Sequence, residues 1–200
     1  MAVEAVAEKR PGPGRPRSAE CDVAILDAAL ELFAEVGFEG FTVESVAARA
    51  GVGKATIYRR YANKEELVIA AARSLSLVVA PAPDTGTFAG DLRESARGLV
   101  HLLTDTIAGT AVRQLVAELD RNEELRVAHG EFLAGRRAQM AAAVARGVAR
   151  GELPARTDPE LVADLVAGPI FYRHLVLCDR VDRRYADALV TRVLDGLLPR

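Results

Sequence analysis

The chain has 200 residues, 50% of them hydrophobic, and a formal charge of -2; this is enough apolar material for one compact unit or two small ones, and it excludes a disordered chain. No apolar run approaches the roughly 20 residues that cross a bilayer and no signal-peptide core opens the chain, so a cytoplasmic protein with no membrane partner is expected. Cys21 and Cys178, far apart and without CxxC spacing, give neither a disulfide framework nor a zinc site; no metal and no cofactor are expected.

Residues 1–18 read as a flexible basic tail, because Pro11, Pro13 and Pro16 prevent a helix and Lys9, Arg10, Arg15 and Arg17 have no acid between them. Such an arm either adds phosphate or minor-groove contacts or is simply solvated. A first helix is predicted over 19–36, where Ile25, Ala29, Leu32, Phe33 and Val36 recur at helical spacing. Gly37 ends it.

The stretch 37–67 spells a helix-turn-helix. Thr42 is an N-cap whose hydroxyl can accept a first-turn amide, so a short helix is predicted over 43–50, and Gly51 supplies the left-handed residue that turns the chain. A second helix takes in Thr56 to Tyr61, with Ile57 and Tyr61 four apart on its inner face. Thr56, Arg59 and Arg60 then point outward. From Ser45 to Lys64 there are five basic residues, Arg49, Lys54, Arg59, Arg60 and Lys64, and no acid. Glu20, Asp22, Asp27, Glu31 and Glu35 crowd the helix before it. A near-neutral total thus conceals a basic face, the footprint of a nucleic-acid reader.

Arg59 suits a bidentate pair with guanine. Lys64 suits a phosphate, at the start of the next helix, where free amides also favour an anion. Asn63 and Glu66 form a capping-box-like pair there. Tyr58 is either a DNA contact or a core ring under the turn.

Gly37-Phe38, Thr42, Ala47, Ala50-Gly51-Val52, Ala55-Thr56-Ile57-Tyr58 and Asn63-Lys64-Glu65 resemble the TetR family of one-component bacterial regulators, over roughly residues 20 to 70. The resemblance implies a dimeric all-helical protein whose three N-terminal helices bind an operator, while the remaining helices dimerise and bind a small inducer. Carried over by residue, Thr56, Tyr58, Arg59, Arg60 and Lys64 match positions that touch phosphates or bases, and Lys54 and Ala55 open the recognition helix. Thr42 caps the helix before it, and Ser45 in the same first turn joins the DNA-binding set. Arg59-Arg60 stand where the family often has aromatic residues or histidine, so its base preferences do not transfer.

A fourth helix is predicted from Lys64 to about residue 80, stopped by Pro81-Ala82-Pro83. The chain then divides into a DNA-binding unit over 19–66 and a ligand-binding and dimerisation unit over 84–200. Five more helices are expected near 88–106, 110–121, 123–150, 159–179 and 183–198, with Asp158-Pro159 and Asp182 as starts. The fold class is all-α, with about nine helices. Leu161, Leu165, Val166, Ile170, Leu175, Val176 and Leu177, followed by Ala186, Leu189, Val190, Val193, Leu194, Leu197 and Leu198, make the last two helices too apolar for a monomer's edge. A homodimer through a four-helix interface is expected.

Along 123–150, Leu125, His129, Phe132, Arg136, Met140, Ala143 and Gly147 share one face. Either a ligand pocket lies there, with Phe132, Arg136 and Met140 facing Phe171 and His174 near the Gly168-Pro169 break, or Arg136 snorkels or pairs with Asp105 or Asp164. The expected function is a transcriptional regulator, a repressor that binds a palindromic operator in double-stranded DNA and is released by a small-molecule inducer. The alternatives are an architectural DNA-binding protein or a DNA-processing enzyme. No nucleophile or carboxylate constellation favours catalysis.

Overall fold

A computed structural model describes residues 17–78 and 82–197. The basic tail, apart from its last residues, and Pro81 and Leu198 lie outside the described residues. Nine α-helices run through the described residues: α1 (Arg17–Gly40), α2 (Val43–Ala50), α3 (Lys54–Tyr58), α4 (Lys64–Val78), α5 (Phe88–Thr104), α6 (Ala108–Glu118), α7 (Glu123–Ala149), α8 (Pro159–Phe171) and α9 (Arg183–Leu197). A π-helical turn, Tyr172–Val176, continues α8. No strand occurs among these residues, and no helix among them is long and apolar enough to cross a membrane.

The helix starts follow capping chemistry. The side chains of Thr42, Thr87, Asn122 and Asp158 each accept a first-turn amide, as Asp182 does from Tyr185 at 2.8 Å. Helix α6 starts at Ala108, whose amide is accepted by the Thr106 hydroxyl at 3.2 Å, and it begins and ends earlier than its sequence pattern suggests. In α1 the helical backbone breaks at Gly37, with φ 66° and ψ -173°. A side chain there would meet only the flexible end of Gln114 of α6, whose Oε1 lies 2.8 Å from the Cβ position, so it is the left-handed conformation that calls for glycine.

Two cores result. The first gathers Ile25, Ala29 and Phe33 of α1 with Val46, Ile57, Leu67 and Val68, and it also takes in Ala111 of α6 and Leu125 of α7. Phe33 and Phe41 meet edge-on within it, centroids 6.5 Å apart. The second is built on the i, i+4 stripe Phe88, Leu92, Ala96 and Val100 of α5, against Val162, Val166 and Ile170 of α8 and Ala186, Val190 and Leu194 of α9. Each of these larger side chains contributes roughly 1.5 to 3 kcal/mol by leaving water.

Polar clasps fix the second unit. Fully buried Asp91 accepts hydrogen bonds from the Thr85 amide at 2.7 Å, the Thr85 hydroxyl at 2.9 Å and the Arg146 guanidinium at 2.9 Å. Arg146 also reaches the Pro83 carbonyl at 2.7 Å, so the segment after the boundary is tied to α5 and α7 at once. Arg97 of α5 grips Asp187 of α9 with two bonds of 2.8 Å.

The proline in α8 does not break the helix. Pro169 cannot donate an amide; the ladder runs on to Phe171 and then widens into the π turn, where the Leu177 amide reaches back to the Tyr172 carbonyl at 3.1 Å.

Candidate nucleic-acid interface and ligand cleft

Helix α2 starts on Thr42, whose Oγ1 accepts the Ser45 amide at 3.1 Å and lies 2.8 Å from the Ser45 hydroxyl, both side chains being exposed. It ends on Gly51 at φ 67°, ψ 30°. There the Val52 amide reaches the Ala47 carbonyl at 3.0 Å, a left-handed closure that sets α3 across α2. Gly53 precedes α3 without a side-chain cap, leaving the amides of Lys54 and Ala55 with no side-chain acceptor among the described residues.

The recognition helix is shorter than its sequence suggests. Regular α3 stops at Tyr58, and the chain from Arg59 to Tyr61 tightens into turns, the Arg60 amide bonding the Ile57 carbonyl at 2.8 Å. Ile57 is fully buried, Tyr61 half-buried and Tyr58 half exposed. Tyr58 is therefore not a core ring under the turn.

The absence of acids between Ser45 and Lys64 does not leave a bare basic surface, because acids arrive from elsewhere in the chain. Arg49 holds Glu35 through two bonds of 2.8 and 2.7 Å, which keep that carboxyl below its usual range. Lys54 pairs with Glu44 at 2.8 Å. Arg60 is pinned by Asp22 of α1 and donates to the Thr56 carbonyl at 3.0 Å; the expectation that Arg60 and Thr56 point freely outward is corrected accordingly, both being half-buried. Lys64 donates to the Phe38 carbonyl at 3.2 Å and lies 4.2 Å above the Phe38 ring. Among the described residues Arg59 alone of the five cations has an exposed side chain with no internal partner. Helix α4 is capped by Asn63, which accepts the Glu66 amide at 2.8 Å, while Glu66 reaches back to the Ala62 amide at 2.6 Å, one residue further than the box expected at Asn63.

A cleft of about 630 Å³ lies between α1, α4 and α7. Leu26, Tyr61 and Ile69 form one wall, and Phe132, Arg136 and Gln139 the other. Of the residues expected around a ligand, only Phe132 and Arg136 meet here. Met140 and Phe171 do not line this cleft and pack, partly buried, on the second core. His174 is buried on the π turn, where Nε2 donates to the Gly109 carbonyl at 3.1 Å and Nδ1 faces the Arg113 guanidinium at 3.4 Å. It is a satisfied core histidine. Neither acid proposed for Arg136 is its partner: Asp105 meets His101 at 3.0 Å, and Asp164 pairs with the neighbouring Arg137 at 3.1 Å. Among the described residues Arg136 donates to Gln139 alone, at 2.9 Å, and burial pushes its guanidinium below its ordinary pKa. Leu26, Tyr61, Ile69 and Arg73 were not foreseen in the cleft, since periodicity along α7 names its inner face and not the helix opposite.

Residues 25–71 match the family model described as bacterial regulatory proteins, tetR family, and residues 82–193 match the tetracyclin repressor-like C-terminal domain. The chain belongs to the TetR family. An uncharacterised HTH-type transcriptional regulator of Bacillus subtilis, YdeS, is 36% identical over 185 residues, covering 92% of this chain and 93% of its own. A DNA-binding transcriptional repressor, TetR, of Mycobacteroides abscessus is 31% identical over 187 residues, covering 92% and 93%. Among solved structures, FadR from Bacillus subtilis in complex with stearoyl-CoA superposes with a TM-score of 0.75 at 24% identity, covering 87% of this chain and 98% of that one. The protein is a TetR-family DNA-binding transcriptional regulator, and α2–α3 is its helix-turn-helix.

Proposed function

We propose that this TetR-family protein is a repressor that binds a palindromic operator as a homodimer and is released by a small-molecule inducer, acting in the cytoplasm, where the bacterial hosts of its relatives keep their chromosome. The observation that carries the operator contact is the unpaired, exposed Arg59 beside exposed Tyr58 on a turn without acids. Arginine there can meet guanine O6 and N7. Thr42, Ser45, Lys54, Ala55 and Lys64 take the flanking phosphates, while Arg60 and Thr56 hold the turn in shape through their own bond and add backbone contact only when Asp22 lets go.

The dimer rests on an apolar stripe that the second core leaves uncovered: Leu161 and Leu165 of α8, then Tyr172, Val176 and Leu177, are 42% exposed or more. Two such stripes with α9 beside them form the four-helix interface. Pairing sets two heads about 34 to 36 Å apart, or a multiple of a helical turn, to meet successive major grooves. That a similar fold was crystallised with stearoyl-CoA supports a small-molecule effector. The test is selection of duplexes from a random pool by the full chain, then anisotropy titration. A symmetric selected site bound by two protomers at least about 10³-fold more tightly than scrambled DNA is expected; an asymmetric site or equal affinities would refute the proposal.

A further inference from the structure

We propose that the cleft between α4 and α7 takes a small amphipathic anion, its headgroup paired with Arg136 and its apolar body between Ile69, Phe132 and Tyr61, and that filling it displaces the reading head directly. This rests on the ligand-controlled repressor proposed above.

The charge balance of the cleft selects the ligand. Four charged side chains line it: Glu66, Arg73, Glu131 and Arg136. Arg73 and Glu131 neutralise each other at 2.5 Å on the rim, and Glu66 is held by the Ala62 amide at 2.6 Å. Arg136 is left with one neutral acceptor, Gln139 at 2.9 Å, and no carboxylate within ion-pair reach among the described residues. The rest of the wall is largely apolar. A neutral molecule filling the cleft strips water from the guanidinium and gives nothing in return, whereas a carboxylate or phosphate restores a charge-assisted, bidentate partner. A cation finds one carboxylate without an arginine partner, Glu66, which is exposed and already bonded to the Ala62 amide at 2.6 Å, and so gains less than an anion does at half-buried Arg136. The volume of about 630 Å³ falls within the roughly 300 to 1,000 Å³ of small-molecule sites.

Its position supplies the coupling. Tyr61 closes the turn after α3, its amide bonded to the Ile57 carbonyl at 2.9 Å, and Ile57 is the buried anchor of the recognition helix. A ligand against Tyr61 thus lies within one turn of Arg59. Leu26 places α1, whose Asp22 restrains Arg60, on the same wall. Any shift in operator affinity equals the ligand's differential affinity for the two head positions.

The test is calorimetric titration of the full chain with decanoate, decyl phosphate and 1-decanol below their aggregation limits, with helical content checked by circular dichroism. At least one anionic probe is expected to bind once per protomer and at least tenfold more tightly than decanol, and the better of the two separates carboxylate from phosphate chemistry. Arg136→Gln should erase that preference without weakening decanol, Arg136→Lys should restore part of it, and Arg137→Gln, whose arginine pairs with Asp164 of α8 and does not line the cleft, should leave it intact. Equal affinity for decanol and both anions, no binding of either anion, or an unchanged preference in Arg136→Gln would overturn the site. Anisotropy on the selected operator is then run with the bound anion, and an affinity at least tenfold lower is expected. An anion held by Arg136 that leaves operator affinity unchanged would keep the site and overturn its action on the head and, with it, the proposed release by ligand.

Discussion

Arg60 and Asp22, 38 residues apart, join the turn after the recognition helix to α1 through an ion pair whose arginine side chain is only 19% exposed. The guanidinium is thereby folded back toward its own backbone, and the head meets DNA with fewer available cations than its sequence counts.

Asp22→Asn should release it. Binding to random duplex is expected to strengthen, and the slope of log affinity against log salt to steepen by up to about 0.9, one additional phosphate contact. Anisotropy at four salt concentrations measures both. Stability should fall by about 1 kcal/mol or less, as for a pair near the surface. An unchanged slope would mean that the Thr56 carbonyl alone keeps Arg60 folded.

Arg59→Ala and Lys64→Ala should differ in kind. Loss of Arg59 should cost roughly 1 to 3 kcal/mol on the selected operator and relax base preference at one position in each half-site. Loss of Lys64 should weaken all sequences alike. It should also lower the unfolding midpoint, because Lys64 forfeits the Phe38 carbonyl and ring, a cation–π contact of about 0.5 to 1 kcal/mol. Equal losses by the two variants on operator and random DNA would refute a base-reading Arg59.

For the dimer, deleting residues 181–200 is a poor probe, since Val181, Ala186, Val190 and Leu194 belong to the protomer's own core. Leu165→Glu is better, Leu165 being 42% exposed on α8. Sedimentation should show a folded monomer with unchanged helical content and weak affinity for a full operator. A folded Leu165→Glu dimer would move the interface to another face.

Asp91 sets a pH dependence. Burial by itself raises its carboxyl, but the bonds from Thr85 and Arg146 outweigh that and hold it below its ordinary 3.8. A carboxyl depressed by folding stabilises the fold above the unfolded value, and that contribution disappears as pH falls through the folded one. Its window is therefore below about pH 4. Asp91→Asn should cost about 1 to 3 kcal/mol near neutrality, because Arg146 loses its buried carboxylate and keeps only Asp84 at 3.7 Å and the Pro83 carbonyl at 2.7 Å. In urea titrations its deficit against the native chain should shrink as pH drops from about 5 to about 3. A deficit constant across that range would show that the charge on Asp91 does not stabilise the fold.

Signals confined to one or two turns were legible in the sequence. Thr42, Gly51, Asp158-Pro159 and Asp182 act locally, and the elements they bound begin or end where the chain suggests. The start of α6 was not legible, because the hydroxyl that accepts the Ala108 amide belongs to Thr106, one residue outside the cap position held by Ile107. The widened turn after Pro169 was read as a break, since a missing amide shows in the sequence while the way the ladder recovers depends on packing. Partners were the least legible. Arg49, Lys54 and Arg60 looked unopposed because Glu35, Glu44 and Asp22 are brought to them by the crossing of helices. In the same way Phe132 and Arg136 pointed to a ligand face on α7 with nothing to say that α4, not α8, stands across from it.

The presence of Ala111 and Leu125 in the first core bears on modularity. The prolines at 81–83 invite recombination there, yet a cut at that point divides one packed interior between two donors. A chimera carrying this head on a foreign effector unit would inherit mismatched side chains beneath α1 and α4, including the seat of Gln114 against Gly37. Heads and effector units joined by such a shared interior can exchange only together with the faces of α6 and α7 that complete it.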